Sequence, residues 1–329
     1  MKNLVLTAII GVGSFAFGQQ LPQFSQYSRN QFMVNPGAAG IYDFVDVTIG
    51  GRYQWLGFDN APKTAYAYGA AVLKREKIRY NPGIRTSVGP IQYPKANTGN
   101  LKHALGAQIV ADEYGAFRKI SFSGTYAIHI PLSKTHNLSF GTKLGLSNNS
   151  FMRDRAVLLS STPGYQGPVI QDQVYDDFAA DQSSINFLDI GAGLYFYSNE
   201  MFLGFSADGL TRDMVTFGSG TANFDPRIHM NVTGGFKIRL NDNLKLMPSA
   251  LAKVVIGTPL SVEGSLQLEY QNRMWLGASY RYGDAVVMML GASISEKFKF
   301  GYSFDLSLSK FNKYSAGGHE LVLGIMIGR

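Results

Sequence analysis

The sequence contains no cysteine among its 329 residues, which excludes disulfide bonds, thiolate catalysis and cysteine-ligated metal sites. Charged residues are also scarce, at 16% of the chain compared with roughly 25% in ordinary soluble domains. No stretch reaches the roughly 18 consecutive apolar residues of a transmembrane helix candidate. These absences leave a soluble β protein or a membrane protein that crosses the bilayer with strands.

Glycine and aromatic residues are plentiful, with 37 glycines and 13% aromatics. This composition suits many tight turns and the aromatic girdles of membrane barrels. The formal net charge is +7, but the Lys and Arg residues are scattered singly along the chain. We therefore expect no nucleic-acid partner, since a phosphate-tracking surface needs clustered cations.

The stretch 227–254 changes polarity at nearly every residue. In its first half the odd positions are mostly polar, with Arg227, His229 and Lys237 among them, and the even positions are mostly apolar. A period of two places the two sets on opposite faces of a strand. The residues at 241–243 suit a tight reversal, so the stretch predicts a hairpin. Its strands approach the roughly 9 to 11 residues with which a tilted strand crosses a bilayer.

The same alternation recurs along the chain and predicts a transmembrane antiparallel β-barrel of about 14 strands. The alternating segments lie near residues 43–56, 63–74, 102–112, 117–130, 137–148, 185–198, 201–209, 227–240, 243–256, 259–270, 273–282, 284–295, 297–308 and 319–329. Closure into a barrel satisfies every backbone N–H and C=O group, which an open sheet in lipid could not do.

One face of the predicted strands carries the charge. In the segments 119–130, 261–270 and 297–308 the other parity has no charged residue at all. A Lys or Arg that faces lipid at the midplane costs roughly 2 to 4 kcal/mol, so the chargeless parity is predicted to face lipid. The charged parity, to which Arg52 and Glu320 also belong, then lines the lumen. The residues predicted to line it are Arg227, His229, Lys237, Lys245, Lys253, Glu263, Glu269, Arg273, Arg281 and Asp305.

Short and long connections alternate along the chain. The short ones lie at 131–136, 198–200, 241–243, 271–272 and near 296. Periplasmic turns are short and outer loops are long, so this order predicts a barrel with both termini periplasmic. The outer loops would be 149–184, 210–226 and 309–318. The connection 75–101 is an exception, because it is a long insertion on the periplasmic side.

The first 18 residues have the pattern of a cleaved signal peptide. Lys2 supplies a positive start, residues 4–17 form an apolar run, and Ala16-Phe17-Gly18 places small residues where a signal peptidase cuts. The run falls short of the roughly 20 residues of a membrane anchor. The sequence therefore predicts a signal peptide at 1–18, an N-terminal segment at 19–42 and an exported barrel at 43–329.

No arrangement of residues predicts catalysis, a bound metal or a cofactor. The five histidines include no pair with metal-ligand spacing. Asp225 near His229 could form an acid–histidine pair, but a single polar lumen residue is the simpler interpretation. The acidic stretch 172–181 lacks the glycine and spaced ligands of a calcium loop, so we interpret it as a solvated acidic segment. We expect a protein that is not an enzyme.

Several motifs resemble one family. Pro22–Tyr27 with Asn35–Gly40 resembles its opening "PQFSQY … NPAxAG", and Gln54–Phe58 with Ala61–Thr64 resembles its "QWxGFxGAPxT". The C-terminal part, which ends in "KYSAGGHELVL", is also similar to the family. On these residues the chain resembles the PorP/SprF proteins of the type IX secretion and gliding motility system of Bacteroidetes.

The resemblance implies an outer-membrane accessory role. Family members are linked to secretion, surface attachment or stability of a cognate protein, typically a large adhesin with a type IX C-terminal sorting domain. Some associate with the translocon or with periplasmic machinery. The alternative is a channel or transporter for small or lipidic solutes, since fourteen strands lie between filled barrels of about eight and open porins of about 16. A soluble periplasmic β protein is a third interpretation.

The segment 19–42 is not predicted to be a strand, because its prolines and glycine break any ladder. It could enter the lumen as a plug, lie beneath the barrel as a periplasmic contact, or form a flexible lead-in. Its aromatic residues would be unusual in a solvated tail. The candidate partner-binding residues are Phe24, Tyr27, Phe32, Asn35, Pro36 and Trp55.

Overall fold

The computed structural model of the chain describes residues 22–73, 96–156, 166, 184–212, 216–217, 227–308 and 310–328. The predicted signal peptide, the acidic stretch 172–181, Asp225 and most of the connection 75–101 lie outside the described residues. None of the described helices is both long and apolar enough to cross a membrane.

Fourteen long strands occur in the described part of the chain, and all fourteen predicted strands are confirmed with ends within three residues. They are Val45–Tyr53 (β1), Lys63–Val72 (β2), Lys102–Tyr114 (β3), Phe117–Pro131 (β4), Asn137–Phe151 (β5), Ser184–Tyr197 (β6), Met201–Asp208 (β7), His229–Phe236 continued by Ile238–Arg239 (β8), Leu244–Val255 (β9), Ser261–Tyr270 (β10), Met274–Arg281 (β11), Ala285–Ser293 (β12), Phe298–Ser307 (β13) and Gly318–Ile327 (β14). A further short strand, Thr216–Phe217, pairs with β6.

The strands form one closed antiparallel barrel. Each strand pairs with its neighbours in sequence, and β1 pairs with β14 from Val45↔Ile327 to Tyr53↔His319. The strand β8 pairs with both β7 and β9, so the ring continues through it. Because the ring is closed, the described wall has no sheet edge to expose unpaired backbone groups.

The polarity of the wall is the reverse of that of a soluble protein. Large apolar side chains point outward, and Phe122, Leu144, Leu203, Leu276 and Met288 each expose more than half of their surface. Buried positions are rich in Ser, Thr, Asn, Gln and ionised residues. This distribution matches an apolar outer face and a polar lumen, as the period of two predicts.

The barrel has two distinguishable ends. The end where β1 begins at Val45 and β14 ends at Ile327 is called proximal, and the end where β1 ends at Tyr53 is called distal. Residues 22–44 precede β1 and run back through the lumen. Lys253, near the distal end of β9, donates to the carbonyl of Pro22 at 3.5 Å. Pro22 therefore lies near the distal end, and the expectation that both termini are periplasmic stays a prediction.

The outward position of Phe122 in the middle of β4 generates a stability prediction. We expect Phe122→Lys to lower the free energy of unfolding in phospholipid bilayers by about 2 to 4 kcal/mol, because a Lys would face the hydrocarbon. Urea titration followed by tryptophan fluorescence measures this change. Leu132→Lys is the control, since Leu132 is equally exposed, at 58%, but lies in a turn at the proximal end. Equal losses in the two variants would contradict a lipid-facing Phe122.

Candidate functional site

Residues 22–44, called the lumen segment, contain short helical turns in place of a strand. They include the four-residue helix Gln31–Val34 (α1) and a 3-10 turn at Pro36–Ala38. Pro36 has no N–H to donate, and the Asn35 side chain accepts the N–H of Gly37 at 2.8 Å. Gly40 has a φ of 71°, which favours glycine. The local sequence therefore makes a compact chain that fits inside the barrel.

The lumen segment is buried as deeply as a protein core. Ser25, Gln26, Tyr27, Asn30 and Asn35 each expose 2% of their surface or less. Buried polar groups need hydrogen-bond partners, so their contacts with the wall decide whether the segment is held in place.

Ser25 is bound by charged wall residues near the distal end. Its main-chain N–H donates to Glu320 Oε2 at 2.6 Å, and its hydroxyl donates to Asp305 Oδ1 at 2.8 Å. The guanidinium of Arg52 donates to Ser25 Oγ at 2.5 Å and to Asp305 Oδ2 at 2.8 Å. Tyr66 donates to the second oxygen of Glu320 at 2.9 Å. One serine thus joins three buried ionised side chains of the wall.

The charges around Ser25 continue into a second arginine. Arg281 donates to Glu263 Oε2 at 2.9 Å, to Asp284 Oδ2 at 2.9 Å and to Asp305 Oδ2 at 3.4 Å. We call Arg52, Glu263, Arg281, Asp305 and Glu320 the distal ion network. All five are at least 95% buried. A buried ion group of this kind is stable only when its pairing and hydrogen bonding are nearly complete, and Ser25 supplies part of that pairing.

Towards the proximal ends of β10 and β11, Arg29 connects the segment to the wall. Its guanidinium donates to Glu269 Oε2 at 2.8 Å and to Gln267 Oε1 at 3.0 Å. It also lies over the ring of Trp275, 4.7 Å from the centroid. Lys245 Nζ is 3.9 Å from the other oxygen of Glu269. Glu269 therefore lies between one cation of the segment and one of the wall.

On the opposite side, Asn35 holds the segment against main-chain groups of the wall. Its side-chain NH₂ donates to the carbonyls of Leu194 at 3.0 Å and Phe205 at 3.1 Å. The 3-10 turn also lies directly on Gly141, where a Cβ would come within 2.4 Å of Gly37 N. Glycine is needed there because two backbones meet without room for a side chain.

At the proximal end, His129 and Lys102 bind the last part of the segment. His129 Nε2 donates to the carbonyl of Ala39 at 2.8 Å, and Lys102 Nζ donates to the carbonyl of Ile41 at 2.9 Å. The ring of Tyr197 packs edge-on against His129 and beneath the Lys102 ammonium. Carbonyls that no strand satisfies are therefore paired with wall side chains.

Aromatic packing completes the fit of the segment to the wall. Phe24 meets Tyr66 edge to face at 5.0 Å between ring centroids, and Phe32 meets Tyr68 in the same way at 5.6 Å. The Tyr27 hydroxyl and Ser249 Oγ share a hydrogen bond at 3.1 Å. The segment thus combines apolar contacts with hydrogen bonds along its whole length.

The candidate partner-binding residues fall into two separate groups. Phe24, Tyr27, Phe32, Asn35 and Pro36 are buried inside the barrel, and their contacts are with the wall and with the segment itself. A partner would have to displace the segment to reach them. Trp55 instead lies in the connection after β1 at the distal end, with a φ of 54°. It is not buried with the other five residues. Partner binding by these residues stays a prediction.

The residues predicted to line the lumen occupy several distinct places. Glu263, Arg281 and Asp305 belong to the distal ion network, and Glu269 and Lys245 meet Arg29. Lys253 donates to the lumen segment, whereas Arg273 lies in the turn before β11. Arg227 and His229 line a cavity with Lys253. Lys237 lies between the two parts of β8.

The sequence predicted Asp305, Glu269 and Lys253 as lumen residues, but it did not single out four other wall residues that hold the segment. His129, Lys102, Tyr66 and Tyr197 lie on the inward parity of their strands, which is the only signal that could have indicated them. Periodicity does not say which inward residue meets a chain that crosses the lumen.

A cavity lies between the lumen segment and the distal half of the wall, and we call it the distal cavity. It is open to solvent on one side and has a volume of about 100 Å³. Phe24 and Val34 border it from the segment. Strands β3 to β9 border it from the wall, and their charged residues at the cavity are Asp112, Lys119, Lys143, Asp189, Asp208 and Lys253. The segment therefore packs less closely against the wall at β3 to β9 than on the other side of the lumen.

Within the described residues no group of three or more His, Asp or Glu side chains is arranged to hold a metal ion. His229 borders the distal cavity, but its predicted companion Asp225 lies outside the described residues. The described contacts between the lumen segment and the wall are hydrogen bonds, ion pairs and apolar packing.

Comparison with known proteins supplies the family context. A model of the PorP/SprF family, described as a type IX secretion system membrane protein, matches residues 16–325. No curated protein sequence matches the chain significantly.

Solved outer-membrane barrels are similar over most of their length but at low identity. The toluene transporter TbuX of Ralstonia pickettii is 9% identical, with 90% of this chain and 92% of that one covered and a TM-score of 0.49. The translocator domain of the autotransporter NalP from Neisseria meningitidis is 11% identical, with 92% and 94% covered and a TM-score of 0.42. At these TM-scores the likeness carries no argument about function.

The distal ion network generates a prediction for the lumen segment. Arg52→Met would leave Asp305 and Glu320 without their shared cation, which for a buried pair costs about 3 to 5 kcal/mol. We expect amide hydrogen exchange at residues 23–30 to become at least about 100-fold faster, because local opening becomes easier. Mass spectrometry of the protein in detergent micelles measures this.

The matched control is Arg118→Met. Arg118 forms an exposed pair with Glu113 at 3.5 Å, and such surface pairs contribute only about 0 to 1 kcal/mol. Unchanged exchange at residues 23–30 in Arg52→Met would show that the network does not hold the segment.

Proposed function

The chain belongs to the PorP/SprF family of type IX secretion system membrane proteins, and on that premise we propose that it anchors a cognate large adhesin at the cell surface. In this role it is a non-enzymatic outer-membrane barrel that supports the secretion, surface attachment or stability of its partner. The partner would be an adhesin of the gliding motility type that carries a type IX C-terminal sorting domain. Residues 1–18 would direct export and be removed, and the proximal end would face the periplasm and any translocon component.

The observation that carries the proposal is the lumen segment. A channel needs a continuous water-filled path, whereas here the chain's own residues 22–44 cross the lumen and bind the wall near both ends. Ser25 and Ile41, near opposite ends of the segment, are both held by buried charged side chains. A barrel closed in this way suits attachment of another protein better than passage of solutes.

The closed lumen predicts little ion current. Reconstituted in planar lipid bilayers, the purified protein is expected to give no sustained conductance, because the segment blocks the lumen. A variant that lacks residues 22–40 is the control, since its strands begin only at Val45 and its lumen would be filled with water. Currents of porin size from the intact protein would favour the alternative, a channel or transporter for small or lipidic solutes.

The anchoring role predicts a defined phenotype in the native host. Cells without this chain should release one large surface protein into the medium, or fail to accumulate it, and a plasmid copy should restore its attachment. Surface proteolysis followed by mass spectrometry measures the change. An affinity tag in the exposed turn at 241–243 should co-purify the same protein in detergent. An unchanged surface proteome in the deleted strain would refute the anchoring role.

A further inference from the structure

The distal cavity has the lining of a binding site. Its apolar side is formed by Phe24 and Val34 of the lumen segment and by Phe187 of β6, and the remaining lining is largely polar. An apolar floor with a few convergent polar groups is the usual composition of a ligand site.

Lys119 has fewer polar contacts than the other lysines of this lining. Lys119 lies over the ring of Phe187, with Nζ 5.5 Å from the centroid, and forms no hydrogen bond or ion pair within the described part of the chain. Asp112, Asp189 and Asp208 also border the cavity, and each has another partner; Asp189 accepts the N–H of Gly209 at 3.0 Å. Asp112 accepts the hydroxyl of Thr64 at 2.5 Å, and Asp208 contacts Lys143. A half-buried ammonium in this position favours an incoming anionic group, because an unpaired charge is costly where water is scarce.

Acceptor atoms without donors lie around the same space. Asn149 is 92% buried and its Oδ1 has no hydrogen-bond partner, and Gln108 Oε1 also has none. Both residues line the distal cavity. A buried acceptor left unpaired costs about 1 to 3 kcal/mol, so these atoms suit a ligand that brings N–H donors.

We propose that the distal cavity binds a peptide segment of the anchored partner, with a carboxylate at Lys119 and an apolar side chain against Phe24, Val34 and Phe187. Main-chain N–H groups of the peptide donate to Asn149 and Gln108. A fatty acid supplies the carboxylate and the apolar body but no N–H group, so the acceptors select the peptide. The inference rests on the proposed anchoring function.

The absence of native cysteine makes a direct test possible. Ser121→Cys places a single thiol in the lining of the distal cavity, and its labelling by a maleimide reports occupancy. The probes are N-acetyl-Leu-Leu-Leu with a free carboxylate, the same peptide as its C-terminal amide, and decanoate. The free-acid peptide is expected to protect the thiol at about tenfold lower concentration than the amide, since a hydrogen bond to a charged group is worth about that factor.

A charge-removing variant and its control identify the cation. In the Ser121→Cys background, Lys119→Gln should abolish the difference between acid and amide, whereas Lys134→Gln should leave it unchanged because Lys134 is exposed in a proximal turn. Three results would overturn the site. The free-acid peptide and the amide protect the thiol equally, the difference between them persists in Lys119→Gln, or no maleimide labels the thiol. Protection by decanoate equal to that by the peptide would overturn the peptide as the ligand.

The inference and the anchoring function can fail separately. The surface protein could stay attached and co-purify in Lys119→Gln cells while the peptide probes fail to protect the thiol. This result would support the anchoring function and refute the peptide site in the distal cavity. The probes could bind as expected while deletion of the chain leaves the surface proteome unchanged. This result would support the peptide site and refute the anchoring function.

Discussion

Over most of the barrel wall, the backbone N–H and C=O groups have no water with which to form hydrogen bonds. In the hydrocarbon of a bilayer an unpaired N–H or C=O costs several kcal/mol, so a sheet is stable there only as a ring. The pairing of β1 with β14 along nine residue pairs closes that ring. Once it is closed, every strand has a lipid side and a lumen side, and the period of two in the sequence follows from this geometry.

Closure also determines what the lumen must contain. Fourteen strands make a barrel wider than the roughly eight-stranded ones that wall side chains alone can fill. The inward parity therefore faces water or another part of the chain, and its ionised residues need partners in either case. The lumen segment adds to the pairing that wall cations begin: Ser25 donates to Asp305 and Glu320, and Arg29 pairs with Glu269.

The wall could be predicted from the sequence because its rule is local. Alternation over ten residues is enough to place a strand, and β10 and β13 agree with the prediction within two residues. The path of the lumen segment follows no period, and its contacts join distant positions, such as Ser25 with Asp305, 280 residues apart. Asn35 binds backbone carbonyls, which every residue has, so no sequence pattern marks its partners. Aromatic residues in a proline-containing segment indicated burial, but not which surface would bury them.

The two halves of the lumen differ in a way that bears on function. Towards the proximal end the segment touches the wall so closely that Gly141 has no room for a side chain, and His129 and Lys102 bind its carbonyls. Towards the distal end the same segment leaves the distal cavity beside β3 to β9. The lumen is thus tightly packed at one end and holds a cavity near the other. That asymmetry supports the proposal of attachment, because the distal cavity offers room for a ligand where the proximal end offers none.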